Sequence, residues 1–252
     1  MASASRSRSA FRDAGGAAEE SRALLLRSVP QGDSGAIATY FTETHGKVGF
    51  VLRAVRQSRK RMPLALEPFH TLALRFTPRR TSELWALDTA DVAVPRLALS
   101  ADLDVSFAAG TYLRWLSALT AARQPDRELF VEAETQLDRL AASGAPAPWL
   151  VQAGIRLLAH AGYELELGSC VACGRPRPAG KRAHASAERG GIVCRACATG
   201  EHGPTVSAPY VLEGSVVALL AGAHDAAATR SELEAAQRFL EVALLAHAEI
   251  VA

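Results

Sequence analysis

The sequence predicts an α+β protein in which an N-terminal five-stranded OB-type β-barrel is followed by an all-α domain carrying a four-cysteine zinc-binding excursion. Between residues 21 and 99, apolar side chains alternate in short runs, as they do in strands. From residue 100 they recur at helical spacing, and all four cysteines form two C-x2-C pairs. We therefore expect a flexible tail over residues 1–20, an OB-fold domain over 21–99, and a helical domain over 100–252 with its zinc segment at 168–200.

The composition is that of a globular protein with a substantial core, since 49% of the 252 residues are hydrophobic. No apolar run approaches the roughly 18 residues that a membrane-spanning helix needs. The first 20 residues are rich in Ser, Arg, Ala and Gly and have too few apolar side chains to fold. Their start resembles an organelle transit peptide, but we favour a disordered extension or a misassigned start codon. Cysteines at metal-binding spacing indicate a reducing compartment, so we expect a cytoplasmic protein.

Five short antiparallel strands are predicted in the first domain. The series consists of six alternating runs, at residues 23–26, 36–42, 48–55, 70–77, 83–88 and 91–94, of which the short run 91–94 closes the series. The residues expected to share the inner face are Val48, Phe50 and Leu52 in one run and Leu72, Leu74 and Phe76 in another. A five-stranded OB barrel is the best-populated fold for such a series, and an SH3-like barrel is the rival.

Three helices are predicted before the cysteines. The first has Ser100 as its N-cap, and its buried stripe consists of Leu103, Phe107, Leu113, Leu116 and Leu119. The second helix is stopped by Gly144. The third has Pro148 in its first turn and ends at Gly162. The cysteines therefore lie between helices, in an excursion from a helical domain.

Two more helices are predicted after the cysteines. Residues 209–220 form one short helix, and Thr229 and Glu232 form a capping box that begins the last helix. On the second helix of this domain, Glu132 and Glu134 are assigned to an exposed acidic face.

The cysteine pairs predict one structural zinc ion per chain. The expected ligands are Cys170, Cys173, Cys194 and Cys197. Four thiolates with Zn–S distances of about 2.3 Å complete a tetrahedron and leave no open position, so this metal would not catalyse. The alternatives are two disulfides, a redox C-x-x-C pair, or four unrelated buried thiols. A disulfide framework is typical of small secreted domains. His184 and His202 could substitute for a thiolate.

A basic cluster is the second candidate site. Between residues 45 and 80, nine basic side chains stand against one acid, Glu67. The predicted DNA-binding residues are Lys47, Arg53, Arg56, Arg59, Lys60, Arg61, Arg75, Arg79 and Arg80. An OB barrel binds single strands through a positive groove and stacked aromatics, with strong salt dependence. The alternative is a solvated basic edge that protects the strands from aggregation. Phe50 and Phe76 fall on the apolar face and are assigned to the core.

Charge is unevenly distributed along the chain. Residues 1–100 carry 15 basic and 9 acidic side chains, and residues 170–204 carry 6 and 2. Residues 101–169 carry 5 basic and 9 acidic side chains, and residues 205–252 carry 2 and 6. This polarity suits a protein with one nucleic-acid face and another face for a different partner. The second candidate DNA surface is the zinc segment, with Arg175, Arg177, Lys181 and Arg182.

Enzyme motifs are absent from the sequence. It contains neither G-x-x-x-x-G-K-[ST] nor a G-x-G-x-x-G after a strand, so no nucleotide-phosphate loop is expected. His247 and Glu249 match the H-x-E of zinc deaminases, but that motif should precede a P-C-x-x-C pair and here follows both pairs. We predict no catalytic residue.

Seven short segments and the basic loop at residues 56–61, taken together, span most of the chain from Ser21 to Cys197. The segments are ALLLR at 23–27, TYFTETHGK at 39–47, LEPF at 66–69, ELWAL at 83–87, YELEL at 163–167, CVACG at 170–174 and GGIVC at 190–194. This combination resembles the RecO family of bacterial recombination mediators. Two features depart from the family pattern: the extra N-terminal tail, and Ala-His-Ala at 183–185 where an aromatic residue is expected.

The resemblance implies an OB domain, a helical domain and, in many members, a zinc site. It also implies binding of single- and double-stranded DNA, strand annealing, and action with RecR to load RecA on DNA coated by single-strand-binding protein (SSB). A groove for the acidic, hydrophobic C-terminal tail of SSB is implied on the helical domain. We therefore predict a non-enzymatic DNA repair and recombination mediator associated with the nucleoid. The alternatives are a transcription or RNA-binding factor with OB and zinc-ribbon modules and, less favoured, a zinc hydrolase.

Overall fold

The computed structural model describes residues 17–33, 35–52, 65–79, 82–201, 203–223 and 228–251. Its N-terminal part is a closed five-stranded barrel with strand order β1-β2-β3-β5-β4, which confirms the predicted OB-type fold. The strands are β1 (Glu19–Gln31), β2 (Gly35–Thr42), β3 (Gly46–Leu52), β4 (Thr71–Thr77) and β5 (Leu84–Val94). The barrel begins at Glu19, inside the segment predicted as a tail.

Alternation along the strands fills the barrel interior as predicted. The predicted inner-face residues Val48, Phe50, Leu52, Leu72, Leu74 and Phe76 are all buried. Phe76 stacks on Trp85 with ring centroids 5.4 Å apart, and Phe50 meets Phe76 edge-on at 5.2 Å. The aromatic residues of the basic region are therefore core residues, as expected.

The runs 83–88 and 91–94 form one strand, β5, so the six runs make five strands. One detail of the predicted barrel is wrong. Strand β3 pairs with β5 in parallel and not antiparallel, with Gly49 opposite Leu84 and Val51 opposite Ala86. This parallel pair closes the barrel.

Seven helices and a small sheet are described after the barrel. The helices are α1 (Ala98–Ala101), α2 (Leu103–Leu119), α3 (Arg127–Ser143), α4 (Pro146–His160), α5 (Arg195–Thr199), α6 (Gly214–Leu220) and α7 (Arg230–Val251). The sheet has the order β7-β6-β8, formed by β6 (Ala183–Ser186), β7 (Gly191–Val193) and β8 (Tyr210–Leu212). Strand β8 takes up part of the segment 209–220 that was predicted to be wholly helical.

The caps of the helices follow from local chemistry. Asp102, not Ser100, is the N-cap of α2, and its carboxylate accepts a hydrogen bond from the Val105 N–H at 3.0 Å. The Thr229–Glu232 capping box of α7 is confirmed: the Thr229 N–H donates to the Glu232 carboxylate at 2.8 Å, and the Glu232 N–H donates to the Thr229 hydroxyl at 3.3 Å. Gly144 ends α3 in the left-handed region, with φ 57°.

The helical core is built mainly by α2, α4 and α7. Gly154 of α4 lies where an added Cβ would be 3.0 Å from the Trp115 ring and 3.3 Å from Leu240, so the small residue allows the three helices to approach closely. Two members of the predicted α2 stripe are not part of this core, because Leu103 and Phe107 are 84% and 73% exposed. Among the described residues, no helix is both long and apolar enough to cross a bilayer.

The barrel contacts the helices through a few buried residues: Leu24, Phe41 and Phe69 belong to the helical core, whereas the barrel interior is a separate cluster. Phe41 of β2 packs on Phe130 of α3 with ring centroids 5.8 Å apart. Glu134, predicted to lie on an exposed acidic face, is instead buried at this contact. Its carboxylate accepts hydrogen bonds from the Arg22 guanidinium at 2.5 Å and the Thr71 hydroxyl at 2.6 Å. The barrel is thus held in a defined orientation against α3.

Candidate metal centre and nucleic-acid interface

The two cysteine pairs converge on one point. The Sγ atoms of Cys170, Cys173, Cys194 and Cys197 all lie within 4.8 Å of one another. The Sγ atoms of Cys173 and Cys194 are 3.7 Å apart. A zinc tetrahedron with Zn–S distances of about 2.3 Å has S···S edges of about 3.8 Å. The four cysteines are therefore positioned to hold one metal ion.

Two tight turns create this arrangement. In the first, the Gly174 N–H donates to the Cys170 carbonyl at 2.8 Å, and Gly174 takes φ 71°, which favours glycine. In the second, Cys194 precedes α5, and its N–H donates to Cys170 Sγ at 3.2 Å. An N–H donor to sulfur stabilises the thiolate that a metal requires.

Burial and local hydrogen bonds shift the pKa values of Cys170 and Cys197 in opposite directions. Burial raises the pKa of Cys170, but N–H groups of Cys194, Ala172 and Cys173 and the Cys173 thiol outweigh it and lower the pKa to about 6. At Cys197, the hydrogen bond that its thiol donates to the Cys194 sulfur, together with burial, raises the pKa to about 12. Four adjacent thiols cannot all ionise without a cation to balance the charge. A bound divalent ion relieves this repulsion, so the donor set fits a soft, thiolate-binding metal.

The cysteine site is fixed to the helical core by the small sheet. Ala185 of β6 and Ile192 of β7 are buried in the main core cluster. The Val171 N–H donates to the Ile192 carbonyl at 2.9 Å, which ties the first cysteine turn to β7. Gly191 permits the close approach of residue Glu166, whose carbonyl an added Cβ would overlap. The zinc segment is therefore packed against the helical domain.

The nine basic residues of the predicted DNA site are only partly described. Six of them lie outside the described residues: Arg53, Arg56, Arg59, Lys60, Arg61 and Arg80. Arg75 is exposed on the outer face of β4, and Arg79 is exposed in the turn after β4. The Arg79 carbonyl accepts a hydrogen bond from the Trp85 indole at 3.0 Å, which anchors that turn to the barrel.

Lys47 has a structural contact of its own. Its ammonium donates to the Ser117 carbonyl of α2 at 2.8 Å, and burial lowers its pKa. The Lys47 carbonyl accepts from the Arg123 N–H at 3.0 Å. Lys47 therefore joins the barrel to the helices, and its role in DNA binding stays a prediction.

The strand register relates the two basic segments to each other. Thr77, which ends β4, lies opposite Ala86, and Ala86 lies opposite Val51 near the end of β3. The ends of β3 and β4 are thus separated by the single strand β5, a lateral distance of roughly 10 Å. Leu52, which ends β3, and Thr77, which ends β4, therefore lie close together, and the two basic segments follow these residues in sequence.

A separate groove lies where α3, α4, α6 and α7 meet. It has a volume of about 660 Å³, and its apolar lining includes Trp149, Leu219 and Leu233. Two exposed arginines, Arg139 and Arg156, also line it. Arg156 lies 3.6 Å from the Glu132 carboxylate, a distance too long for a strong pair. We call this feature the arginine-lined groove.

Comparison with known proteins places the chain in a family. The family model described as "Recombination protein O N terminal" matches residues 18–96, and the one described as "Recombination protein O C terminal" matches residues 100–250. The chain belongs to the RecO family. This membership confirms the resemblance found in the sequence and makes the chain a RecO-family DNA repair protein.

Similar RecO proteins occur in several bacteria. DNA repair protein RecO of Myxococcus xanthus is 32% identical over 225 residues, which cover 89% of this chain and 90% of that protein. DNA repair protein RecO of an Anaeromyxobacter species is 35% identical over 178 residues, or 70% of this chain and 69% of that protein. That of Desulfitobacterium hafniense is 33% identical over 187 residues, or 73% of this chain and 66% of that protein.

One basic residue of this RecO-family barrel surface was missed by sequence reasoning. Arg123, from the connection between α2 and α3, lies over the Trp85 ring at 5.5 Å and donates to the Ser82 carbonyl. It is exposed and is next to the Arg79 turn in space. Arg123 follows the β4–β5 turn by some forty residues, so no local pattern signals this proximity.

Proposed function

We propose that this RecO-family protein is a non-enzymatic mediator of DNA repair and recombination in the cytoplasm. It binds single- and double-stranded DNA, promotes annealing, and together with RecR helps load the recombinase on SSB-coated strands. The observation that carries this proposal is the closed barrel of a RecO-family chain, in which the ends of β3 and β4 are neighbours and each is followed in sequence by basic residues. RecR is the partner that the family resemblance implies.

DNA would follow the side of the barrel around β5. Most of the basic side chains come from residues 53–61, which follow β3 in sequence, and from Arg79 and Arg80, which follow β4. Arg123 adds a charge from the helical domain beside the Arg79 turn. Arginine and lysine contacts to phosphates carry no sequence information, so the surface would accept strands of any sequence. Loose, salt-dependent contacts would leave the bases available to pair with a second strand.

Zinc is the metal that we propose for the four cysteines. Two C-x2-C turns with four thiolates are typical of structural zinc sites, and the 3.7 Å separation of the Cys173 and Cys194 Sγ atoms matches a zinc tetrahedron. Cys170, Cys173, Cys194 and Cys197 would hold the ion, and its chemistry there would be the neutralisation of thiolate charge. With four protein ligands no position remains for a water or substrate, so the ion would stabilise the fold.

The arginine-lined groove is our candidate for the SSB tail. An acidic and hydrophobic peptide needs an apolar trough with positive charge at its edge. Trp149 and Leu219 supply the trough, and Arg139 and Arg156 supply the charge. Reversing both charges, in Arg139→Glu with Arg156→Glu, should weaken binding of a labelled SSB-tail peptide at least tenfold. The exposed Arg114→Glu serves as control, and equal binding by both variants would contradict this placement.

An annealing assay tests the main proposal. Two complementary oligonucleotides, one with a fluorophore and one with a quencher, are mixed with the full chain and with SSB, without ATP or magnesium. We expect annealing faster than the spontaneous reaction, and slower annealing by Arg79→Glu with Arg123→Glu than by the control Arg114→Glu. Absence of acceleration, or a requirement for ATP, would contradict a non-enzymatic mediator.

A further inference from the structure

The start of α2 exposes large apolar side chains. Leu103 and Phe107 are 84% and 73% exposed, and Leu97, just before α1, is 74% exposed. Leu103 and Phe107 are four residues apart and so lie on one face of the helix. Single exposed apolar residues are common, but a group of large ones beside a groove marks an interaction surface. Within the described residues, these three are the most exposed large apolar side chains.

Phe107 borders a groove of about 460 Å³ between α2, α4 and α7. Its apolar lining consists of Ala108, Pro146, Ala147, Leu150 and Leu233. Leu150 and Leu233 are largely buried and form part of the helical core, so the groove has a rigid floor. An apolar trough between helices is the shape that receives the apolar face of another helix.

The edge of this groove is acidic. Asp104 and Glu234 line it, and Asp102 caps the same helix that carries Asp104. Arg230 is the basic residue of the lining, and its Nε donates to the Glu234 carboxylate at 2.9 Å. The three charged lining residues leave one net negative charge, and Asp102, which lies outside the lining, adds a second nearby. We call this feature the acidic-rimmed groove.

The charge excludes several occupants. DNA phosphates would be repelled by Asp104 and Asp102. An acidic peptide would meet the same repulsion, and the arginine-lined groove on the other side of Leu233 suits it better. A second copy of the chain, related by two-fold symmetry, would bring the same acidic groups together. A partner helix with apolar and basic side chains matches the groove better, because its apolar side chains fit the trough and its basic side chains pair with the acidic edge.

We propose that the acidic-rimmed groove docks a basic amphipathic helix of a protein partner. Apolar side chains of that helix, at i, i+3/i+4 and i+7, would cover Phe107 and Leu103 and enter the trough above Leu150. Its lysines or arginines would face Asp104 and Glu234. The surface is separate from the basic barrel face, so one chain could hold DNA and this partner together. The proposal does not depend on the DNA-binding role.

Labelled model peptides and the full chain test this proposal by fluorescence anisotropy. The probes are a leucine–lysine amphipathic helix, the same pattern with glutamate for lysine, and a scrambled leucine–lysine peptide of equal composition. We expect the first to bind at least tenfold more tightly than the other two. Leu103→Ser with Phe107→Ser, and separately Asp104→Lys with Glu234→Lys, should each weaken it at least tenfold. Both pairs are exposed, so the variants should keep the parental circular dichroism and melting temperature.

Val131→Ser is the matched control, because Val131 is an apolar residue 46% exposed on α3 and outside this groove. It should leave peptide binding unchanged. Equal binding of the scrambled peptide, equal loss in the control variant, or no binding of the first peptide would overturn the proposal. Self-association of the parental chain in sedimentation, abolished by Leu103→Ser with Phe107→Ser, would assign the surface to a second copy and also overturn it.

Discussion

The Arg96 guanidinium donates a hydrogen bond from Nε to Oδ1 of Asp138 at 2.6 Å, which joins the segment after the barrel to α3. The Arg96 side chain is almost fully buried, and its Nη1 also donates to the Phe69 carbonyl at 3.1 Å and the Thr71 hydroxyl at 2.9 Å. The Arg96 N–H donates to Nδ1 of His70 at 2.9 Å. One residue thus connects the start of β4, the end of the barrel and the helical domain.

Arg96→Leu should lower the free energy of unfolding by about 2–4 kcal/mol, because the buried Phe69 carbonyl and Thr71 hydroxyl lose a charged donor. Urea unfolding followed by tryptophan fluorescence measures the change. Arg114→Leu is the control, since its ion pair with Glu241 is solvent-exposed and should be worth less than about 1 kcal/mol. Equal losses of unfolding free energy in the two variants would show that Arg96 contributes no more stability than a surface ion pair does.

Cys173→Ser should remove the metal. Cys173 is the exposed member of the cysteine site, so the substitution alters packing little. A structural zinc ion binds with a free energy of about 10–16 kcal/mol, so one of four ligands contributes about a quarter of it. Losing that quarter should weaken zinc binding about a hundredfold or more. Inductively coupled plasma mass spectrometry should find about one zinc per parental chain and far less in the variant, which should also melt at a lower temperature.

The neighbouring Ala172→Ser is the control for this metal prediction, because it adds a hydroxyl to the same exposed turn and leaves all four thiols. It should keep its zinc and its melting temperature. Parental protein purified under reducing conditions without chelator, yet containing no zinc, would contradict the assignment of the metal.

The cap of α7 should make stability depend on pH. The pKa of Glu232 lies below its ordinary value of 4.5, because its carboxylate accepts hydrogen bonds. The Ser215 hydroxyl has the largest effect, and the N–H and hydroxyl of Thr229 add to it. The ionised Glu232 therefore stabilises the fold above pH 4.5, and this contribution is lost as the pH falls through the lowered pKa. The difference in unfolding free energy between parent and Glu232→Gln should be largest near neutral pH and shrink towards pH 3.

Thr229→Ala removes the other half of the capping box and should cost about 1 kcal/mol of unfolding free energy. Because Thr229 does not titrate, part of that cost should persist at low pH. Ser231→Ala, at an exposed position in the first turn, is the matched control. A parent–Glu232→Gln difference that stays constant between pH 3 and pH 7 would show that the carboxylate charge contributes nothing to the cap.

Alternation predicted the barrel because it determines which side chains share a face, and Leu72, Leu74 and Phe76 are buried accordingly. It contains no information on strand direction, so the parallel β3–β5 pair was missed. Glu134 did carry a usable signal: it stands four residues after Phe130 and three before Leu137, on the apolar face of α3. A carboxylate in such a position indicates a buried partner, here Arg22.

The apolar stripe of α2 shows what helical periodicity cannot predict. Leu103 and Phe107 have the spacing of a core face, but periodicity cannot tell whether a given face meets another helix or remains exposed. The metal ligands were predictable because their spacing itself encodes the geometry. The contacts of Lys47 with Ser117 and of Arg123 with Trp85 join residues distant in sequence, and only the tertiary structure brings them together.

The salt dependence of DNA binding provides the test of the barrel surface. If Arg79 and Arg123 contact phosphates, replacing both by Gln should flatten the plot of log affinity against log salt by about 1.4 for single strands, at about 0.7 per charge. Replacing Arg59, Lys60 and Arg61 together should flatten it by roughly two units on the same rule. Fluorescence anisotropy with a labelled oligonucleotide at several salt concentrations measures the slope.

The slopes should be the same for oligonucleotides of different sequence, because phosphate contacts do not read bases. Arg114→Gln removes one exposed charge on α2, which already pairs with Glu241, and should leave the slope unchanged. If the Arg79 and Arg123 variant and the triple variant both keep the parental slope while remaining folded, the basic segments are a solvated edge of the barrel. DNA contacts would then be sought in the zinc segment, where Lys181, Arg182 and Arg195 are exposed.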